Sequence, residues 1–443
     1  MRIHTGWKEA VVVALSGVIF ALASCGGGGI VISGLSRRAF VSDDADGSIH
    51  IEDAIRDEES AHTIGTGAQP GNLRLSPEKS FTLVFNAGSL TMSVIQNSTE
   101  TVLESIVFPA VSTDYAMLPG DGVAFAVVPN SGTTPCIPRC VVMMSLATSN
   151  NASTFQITAT ISVDATGAAL NAASTMALSP DGHKLLVFGA PGEHVDTLTF
   201  VDAVAAQSAT PPPASATTQL GPANCGSLPA SCFDRPVSAV FSSDSTKAFV
   251  FNCGPECAGT TPSVTVLDMT QSPPVPSANV PLPGAAATIG LLNGTTLYVA
   301  GSPPGLSCAA ANPPTSATSC GTLLTIDTGT LAVSAPTIIA NGLHSQMELA
   351  SNNQLFIGAR TCTNVSTASE TRGCLTIFDT SGNKVVVPPV NFDVTGIAPI
   401  LHRTVVYVIQ GGDLKIYDTT TDALTAAQID IVGKAVDVKY VDQ

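Results

Sequence analysis

The chain has 443 residues, of which 44% are hydrophobic and only 12% charged, and its formal net charge at pH 7 is −16. An acidic surface repels nucleic-acid phosphates and anionic lipid headgroups, so we expect no nucleic-acid partner. The 38 glycines and 30 prolines suit a turn-rich all-β chain and argue against a helical bundle.

The N-terminal segment has the pattern of an export signal. Arg2 and Lys8 precede the apolar run Val11–Ala23, which is too short for a comfortable transmembrane helix. The run ends in Leu22–Cys25 (LASC), which resembles the lipobox of bacterial lipoproteins. A plain secretory signal is the alternative interpretation.

The lipobox resemblance implies a division of the chain into three parts. Residues 1–24 are a signal peptide, and residues 25–35 are a lipidated Cys25 followed by a Gly-rich tether. Residues 36–443 remain for a single folded domain. The protein is then anchored in the cell envelope, at the outer membrane or cell surface, and the membrane is a partner through the lipid alone.

The stretch Thr175–Ala203 shows a template that recurs along the chain. A short apolar stretch is followed by the turn Ser179–Gly182 (SPDG), the apolar run Lys184–Gly189 and an alternating run that ends at Asp202. Proline fixes φ near the value that a reverse turn needs, and glycine adopts positive φ easily. Apolar runs this short, bounded by such breakers, predict β-strands.

Eight copies of the template are recognisable. Their second strands are predicted to begin near Ala39, Phe81, Val123, Lys184, Lys247, Thr296, Gln354 and Val405. The third and sixth copies depart most from the template, and a degenerate copy there would reduce the count to seven. Candidate fourth strands lie between copies at Val102–Phe108, Phe155–Val163 and Leu424–Ile431.

The two ends of the domain complement each other. Residues 435–440 (AVDVKY) alternate like a first strand but precede no second strand, whereas the N-terminal copy lacks a first strand. We therefore expect the C-terminal strand to join the N-terminal strands in one sheet. The predicted fold is all-β, a β-propeller of eight four-stranded blades closed by this pairing.

The motifs SPDG, LLVF or AFVF, and VTVLD resemble YVTN-type repeats, the β-propeller units of many bacterial exported and surface proteins. The resemblance covers residues 36–443, although that family commonly has seven blades and we count eight. It implies a binding or scaffold module. Relatives also include lactonases and quinone- or haem-dependent oxidoreductases, and fold alone does not choose among these functions.

Cysteines come in local couples once Cys25 is set aside from the total of eleven. In four couples one cysteine follows a second strand and the other precedes or begins the third, where disulfide geometry is attainable. An exported compartment keeps such pairs oxidised. Zinc is the rival interpretation, but the couples lack the pairing of a zinc ribbon. We predict no metal at these cysteines. We predict five disulfides: Cys136/Cys140, Cys225/Cys232, Cys253/Cys257, Cys308/Cys320 and Cys362/Cys374.

Motifs of familiar enzymes are missing from the sequence. It contains no Cys-x-x-Cys-His haem string, no Gly-x-Ser-x-Gly elbow and no His-Glu-x-x-His helix. Its single tryptophan, Trp7, precedes Cys25, so the Trp-rich repeats that dock quinones are lacking. We expect no cofactor.

One acidic stretch has the oxygen spacing of a calcium loop. Ser42, Asp44, Asp46 and Gly47 are followed by Asp53. The stretch coincides with the turn between two strands of the first copy, where Asp and Gly are ordinary turn residues. We interpret it as a turn.

A polar set in the late copies is the candidate for chemistry. It comprises His344, Glu348, Arg360, His402 and Arg403. His344 and His402 stand close to first strands, and first strands line the channel of a propeller. A histidine, an acid and an arginine that converge there would polarise an ester or lactone. Water-accessible channel and turn positions also tolerate such residues without function.

We therefore predict a monomeric binding or scaffold module, not an enzyme, whose ligand is an unidentified protein or small molecule. The expected binding surface is the loop face with the cysteine couples or the channel mouth. A lactonase-like hydrolase is the alternative.

Overall fold

The computed structural model describes residues 32–129, 140–149, 152–163, 173–189, 195–229, 232–306, 320–363, 365–367 and 370–442. They form eight four-stranded antiparallel sheets arranged as the blades of a β-propeller, which confirms the predicted fold class. Lipobox, Cys25 and most of the tether lie outside the described residues.

The first four blades, each given from the channel outwards, have the following strands. Blade 1 contains β34 (Ala435–Tyr440), β1 (Arg38–Asp43), β2 (Ser48–Asp53) and β3 (Glu58–Gly65); blade 2 contains β4 (Pro70–Leu75), β5 (Phe81–Asn86), β6 (Thr91–Gln96) and β7 (Thr101–Val107); blade 3 contains β8 (Asp114–Met117), β9 (Val123–Val128), β10 (Cys140–Ser149) and β11 (Ala152–Ser162); blade 4 contains β12 (Ala173–Leu178), β13 (Lys184–Gly189), β14 (Leu198–Asp202) and β15 (Thr217–Leu220).

The other four blades follow the same order. Blade 5 contains β16 (Pro236–Phe241), β17 (Lys247–Asn252), β18 (Ser263–Asp268) and β19 (Val275–Pro281); blade 6 contains β20 (Ile289–Asn293), β21 (Thr296–Gly301), β22 (Gly321–Asp327) and β23 (Thr337–Ile339); blade 7 contains β24 (Leu343–Leu349), β25 (Gln354–Arg360), β28 (Leu375–Asp379) and β29 (Lys384–Val386); blade 8 contains β30 (Val394–Pro399), β31 (Val405–Gln410), β32 (Asp413–Asp418) and β33 (Ala423–Leu424).

Few elements lie outside the blades. A two-stranded hairpin, β26 (Val365–Thr367) and β27 (Glu370–Arg372), extends the loop between β25 and β28. One short helix, α1 (Ala203–Gln207), begins after Asp202, whose carboxylate accepts the Ala205 backbone N–H at 2.9 Å. Short 3₁₀ turns occupy Ala214–Ala216, Pro222–Asn224, Gly254–Cys257 and Ser351–Asn353.

The core lies between blades, and the second strands contribute most to it. The strands β5, β17 and β31 have the sequences FTLVFN, KAFVFN and VVYVIQ, and nearly every residue in them is buried. Each sheet buries both faces against its neighbours, so these strands are continuous apolar runs rather than strictly alternating ones. Large side chains such as Phe125, Phe249 and Tyr407 are wholly buried there.

The Ser179–Gly182 turn, between the first and second strands of blade 4, shows how this turn sequence works. The Gly182 N–H donates to the Ser179 carbonyl at 2.8 Å, and Gly182 has φ of +71°. The Ser179 hydroxyl oxygen accepts the Lys184 N–H at 2.9 Å. The turn is thus held by its own side chain as well as by the backbone.

The ring closes as predicted. Strand β34 pairs antiparallel with β1, from Ala39 opposite Tyr440 to Asp43 opposite Ala435. Val438 is fully buried in this sheet, and next to it Arg38 forms a 2.5 Å ion pair with Asp442. The first blade therefore contains both ends of the domain, which leaves no free inner edge.

Antiparallel order divides the loops between two faces. The connections into each first strand and the loops between second and third strands lie on one side, which we name the disulfide face. The tight turns after first and third strands lie on the other side, the turn face. Fourth strands are the least regular elements: β3 was not predicted, and of the predicted Leu424–Ile431 strand only Leu424 belongs to β33, while Ile429 forms an isolated bridge with Leu414.

Candidate binding site at the mouth of the channel

Disulfides reinforce the disulfide face. Cys253–Cys257 and Cys362–Cys374 close loops between second and third strands, each with Cα atoms 5.6 Å apart. Cys225–Cys232 closes the connection from blade 4 to blade 5 on the same face, with Cα atoms 6.0 Å apart. These three predicted pairs are confirmed, and they indicate an exported protein because such bonds persist in oxidising compartments.

The two remaining couples are described only in part. Cys140 and Cys320 are each in a disulfide, but their predicted partners, Cys136 and Cys308, lie outside the described residues.

No helix among the residues that the structure describes has the length and apolar character needed to cross a bilayer.

A pocket of about 770 Å³ opens on the disulfide face, over blades 7, 8, 1 and 2. A volume of this size is typical of small-molecule sites. Its walls are the beginnings of first strands, the Cys362–Cys374 disulfide and the loops beside them. The lining residues are Asp44, Gln69, Pro70, Gly71, Ala87, Arg360, Cys362, Cys374, Phe392, Asp393, Thr395, Gly411, Gly412, Lys434, Ala435 and Val436.

Charged side chains of the pocket differ in how they are satisfied. Lys434 Nζ lies 3.0 Å from Asp44 Oδ2, which neutralises that pair. The Asp393 carboxylate accepts the Thr361 N–H at 2.8 Å. Arg360 is half-buried, and its buried Nε has no hydrogen-bond partner among the described residues. Arg360 is therefore the cation that the pocket leaves available to a ligand.

Apolar surface lies beside this arginine. Phe392 is 67% exposed and has φ of +84°, an unusual conformation for an aromatic residue, while Gly411 lies against its ring. A β-carbon at Gly411 would come within 2.9 Å of the Phe392 side chain, so glycine is what allows this packing. The pocket thus presents an aromatic surface and a guanidinium whose Nε has no hydrogen-bond partner among the described residues.

Below the mouth, one tier of the channel combines charged and apolar residues. Eight first-strand residues pair with the third residue of their second strands and so lie at one level: Lys439, Arg74, Ala116, Ala177, Val240, Leu291, Glu348 and Ala398. The charged members belong to blades 1, 2 and 7, the sector that also carries the pocket. The opposite side of the tier is apolar.

Ion pairs link this charged sector to neighbouring first-strand carboxylates. Arg74 Nη2 lies 3.1 Å from Asp114 Oδ1, and Lys439 Nζ lies 3.2 Å from Asp437 Oδ1. Asp437 is fully buried and also accepts the Leu73 N–H at 2.9 Å. Both carboxylates are thus committed to structural contacts.

Glu348 lacks such a partner among the described residues. Burial raises its pKa, an effect that Lys439 and Arg74 oppose and Asp437 reinforces. Burial alone would lower the pKa of Arg74, but Asp114 and Asp437 raise it, so this guanidinium stays charged. Burial therefore favours the protonated form of Glu348.

The polar set predicted from the sequence is divided between the two faces. Arg360 pairs with Leu343 at the start of β24, on the disulfide face, whereas His402 and Arg403 lie in the turn between β30 and β31, on the turn face. Arg403 binds Asp57 through both carboxylate oxygens at 2.5 and 2.8 Å.

His344 is a buried structural residue. Its Nε2–H donates to the Ala340 carbonyl at 3.0 Å, and burial lowers its pKa to about 4, so the ring is neutral at pH 7. No hydrogen bond or ion pair described for this part of the chain joins His344 to Glu348, Arg360, His402 or Arg403. The five residues therefore do not form one constellation in the described part of the chain.

The residues with calcium-loop spacing also have separate roles. The Ser42 hydroxyl accepts the Asp437 N–H at 3.1 Å, Asp44 pairs with Lys434, and the Asp53 carboxylate accepts the Ile55 N–H at 2.9 Å. Asp46 caps its own turn by accepting the Ser48 N–H at 2.9 Å.

Several residues of the mouth and channel were not identified from the sequence: Arg74, Asp114, Lys434, Asp437 and Lys439. One signal was available. Arg74 lies seven residues before its predicted second strand, a position that Ala116, Ala177, Val240 and Ala398 occupy with small or apolar side chains in other copies. Lys434 gave no such signal because it lies outside the template.

The fold and the site define an eight-bladed β-propeller with a disulfide-reinforced mouth and a pocket over one sector of its channel. No protein-family model matches this chain, and no curated protein matches its sequence. Similarity to known proteins is therefore confined to three-dimensional structure.

Three solved structures illustrate that similarity. The chain is similar to a dihydro-heme d1 dehydrogenase, NirN, in complex with DHE, at 12% identity and a TM-score of 0.63, with 95% of this chain and 78% of that chain covered. It is similar to Saccharomyces cerevisiae Sqt1 at 9% identity and a TM-score of 0.55, covering 85% and 90%. A putative 6-phosphogluconolactonase from Bacteroides fragilis NCTC 9343 has 13% identity and a TM-score of 0.50, covering 93% and 99%. At these identities the comparisons show the propeller fold alone.

Proposed function

We propose that this protein is an exported, lipid-anchored propeller of the YVTN-repeat type that binds a small carboxylic acid with an apolar portion at its mouth pocket. Residues 1–24 are the signal peptide, 25–35 the lipidated Cys25 and tether, and 36–443 the binding domain. The site is non-enzymatic and holds its ligand by contact alone.

The observation that carries the proposal is Arg360 in the pocket. A guanidinium binds a carboxylate through two parallel hydrogen bonds, and it does so more strongly where water is partly excluded. Phe392 and the Cys362–Cys374 disulfide supply apolar surface next to it. The other cation of the pocket, Lys434, already has Asp44 as its partner.

Binding of a charge-matched series tests this proposal. We expect 3-phenylpropionate to bind in isothermal titration calorimetry and 3-phenylpropanamide and 3-phenylpropylamine, which keep the ring but not the anion, to bind at least tenfold more weakly. The assay belongs at about 0.15 M salt, where the net charge of the chain is screened beyond about 8 Å.

The variant Arg360→Gln removes the cation and is expected to abolish the preference for the acid. Arg56→Gln is the matched control, because Arg56 is 71% exposed and pairs with Asp53 at 3.8 Å far from the pocket lining. Equal affinity for acid and amide, or unchanged acid binding by Arg360→Gln, would refute the proposal.

We do not retain the lactonase-like alternative. It needs a histidine, an acid and an arginine within reach of one substrate, whereas His402 and Arg403 lie on the turn face and His344 is held by a backbone carbonyl. No other described contact favours it.

A further inference from the structure

A second cluster of polar residues lies next to the pocket but belongs to the turn between β1 and β2 of blade 1. Its members are Asp43, Asp46 and His50. In blades 5 and 7 the loop at this position is closed by a disulfide. Blade 1 has no cysteine there.

Three potential ligand atoms converge in this cluster. His50 Nε2 lies 3.5 Å from Asp43 Oδ2 and 3.3 Å from Asp46 Oδ2, and all three atoms lie within 4.8 Å of one another. His50 is 5% exposed and Asp43 is fully buried. Neither His50 Nε2 nor Asp43 Oδ2 has a hydrogen-bond partner among the described residues.

The backbone fixes the orientation of both carboxylates. Asp43 Oδ1 accepts the N–H groups of Ala45 at 2.7 Å and Lys434 at 2.9 Å. Asp46 Oδ1 accepts the N–H of Ser48 at 2.9 Å and its hydroxyl at 2.6 Å. One oxygen of each carboxylate is therefore occupied, and the other one faces the imidazole.

Glu59 orients the imidazole from its other side. Its Oε1 lies 2.5 Å from His50 Nδ1. A carboxylate there accepts the Nδ1 proton and directs the Nε2 lone pair towards the two aspartates, the arrangement that metal-binding histidines commonly have. Three acceptor atoms that face one another repel unless a positive centre lies between them.

We infer that Asp43, Asp46 and His50 bind a divalent first-row transition ion of the zinc class. One imidazole nitrogen and two carboxylate oxygens suit such an ion, whereas calcium prefers oxygen ligands alone. Asp46 is 45% exposed, which leaves a side of the site open to water as a further ligand.

A metal at this position would strengthen ring closure. Lys434, which donates its N–H to Asp43, immediately precedes the closing strand β34. An ion that holds Asp43 and His50 together thus stabilises the loop against which β34 begins. Because the ion binds the folded chain only, its binding free energy adds to the stability of the fold.

The test uses the tag-free full-length protein after removal of metal with a chelator. We expect calorimetry to show one equivalent of Zn²⁺ bound, an increase in the thermal unfolding midpoint, and at least tenfold weaker binding of Ca²⁺. Co²⁺ bound at the same site should show visible absorption, and this absorption should disappear when Zn²⁺ is added and displaces the Co²⁺.

Two variants locate the site. Asp43→Asn and His50→Gln are each expected to weaken Zn²⁺ binding at least tenfold. The Asp43→Asn variant keeps its fold because the new amide N–H donates to His50 Nε2. His183→Gln is the control, since His183 pairs with only one carboxylate, Asp181, at 3.5 Å and is 62% exposed.

Three results would overturn the inference. One is the absence of saturable Zn²⁺ binding. Another is Ca²⁺ binding as tight as Zn²⁺ binding. The third is Zn²⁺ binding that neither Asp43→Asn nor His50→Gln weakens.

Discussion

Aspartates at the ends of third strands account for part of the acidic charge. Asp268, Asp379 and Asp418 each accept N–H and hydroxyl hydrogen bonds from a serine or threonine two residues later. The side-chain hydrogen bond from Thr270 lowers the pKa of Asp268, and Ser381 does the same for Asp379. The repeated Asp-x-Ser/Thr pattern therefore encodes turns of the turn face, and its charge is a by-product of turn chemistry.

Glu256 is a residue whose protonation we expect to change stability near neutral pH. It lies in the disulfide loop Cys253–Cys257 and accepts the Ser302 N–H at 2.7 Å. Burial raises its pKa to about 7. A carboxyl group with a raised pKa stabilises the fold fully below its unfolded pKa of about 4.5, and this contribution is lost as pH rises through 7.

Glu256→Gln should stabilise the protein at high pH, where the wild-type carboxylate is charged and buried. The amide keeps the hydrogen bond from Ser302 without the buried charge, so the variant should exceed wild type in unfolding free energy by about 2 kcal/mol at pH 8 and match it at pH 4. Urea denaturation at both pH values measures the difference. The exposed Glu58→Gln is the control, and a pH-independent gain for Glu256→Gln would contradict the assignment.

First strands are the elements that hold adjacent blades together at the channel. In several first strands a polar side chain bonds to the backbone in or next to the first strand of the adjacent blade. The observed bonds are Asp437 to Leu73 N at 2.9 Å, Asp114 to Met176 N at 3.0 Å, Thr175 to Val237 O at 2.8 Å, Ser238 to Thr288 O at 2.8 Å and Gln346 to Thr395 O at 2.9 Å. Polar residues in these strands therefore belong to the frame as often as to a site.

Asp437 tests this role for the closing strand. In Asp437→Asn one oxygen becomes an N–H₂ group that faces the N–H of Leu73 or Val438, and the ion pair with Lys439 is lost. We expect a loss of about 2 kcal/mol in unfolding free energy, measured by urea denaturation. Asp413→Asn serves as control because Asp413 is 65% exposed and also pairs with a lysine, Lys415. Equal effects of the two substitutions would argue against a bridging role.

At the scale of the whole molecule, the ring explains why both ends of the chain matter to its stability. Ser42 and Asp437, almost the full domain length apart, share a hydrogen bond of 3.1 Å. Contacts of such long range form late and keep a propeller free of exposed inner edges. Loops on the disulfide face are then positioned by a rigid frame, which suits a binding site.

The anchor is tested on the intact protein in a bacterial host. We expect wild-type chain to sediment with membranes and Cys25→Ala to appear in the soluble exported fraction, because the proposed lipid on Cys25 would be what attaches the domain to the bilayer. Ser24→Ala, which keeps a small residue before the cysteine, is the control and should remain with membranes. Sedimentation of Cys25→Ala together with wild type would remove lipidation from the proposal.

The repeat pattern alone was sufficient for the architecture. Short apolar runs between turn signals locate the second strands to within a residue, since burial on both faces leaves a strong local signature. Residues 435–440 also have a strand pattern in the local sequence, and because no second strand follows them, they predict closure of the ring with the N-terminal strands. Fourth strands such as β3 escaped prediction because one face is exposed and polar, so their pairing depends on the neighbouring strand.

Sites were decided by tertiary structure. Arg360 was a candidate from sequence, but its place beside Phe392, with no hydrogen-bond partner for its Nε in the described part of the chain, depends on loops from different blades. The group formed by Asp43, Asp46, His50 and Glu59 depends on how the turn between β1 and β2 packs against β2 and β3. Local sequence encodes strands and turns because their forces act between neighbours, whereas a site depends on distances between residues that only the closed ring brings together.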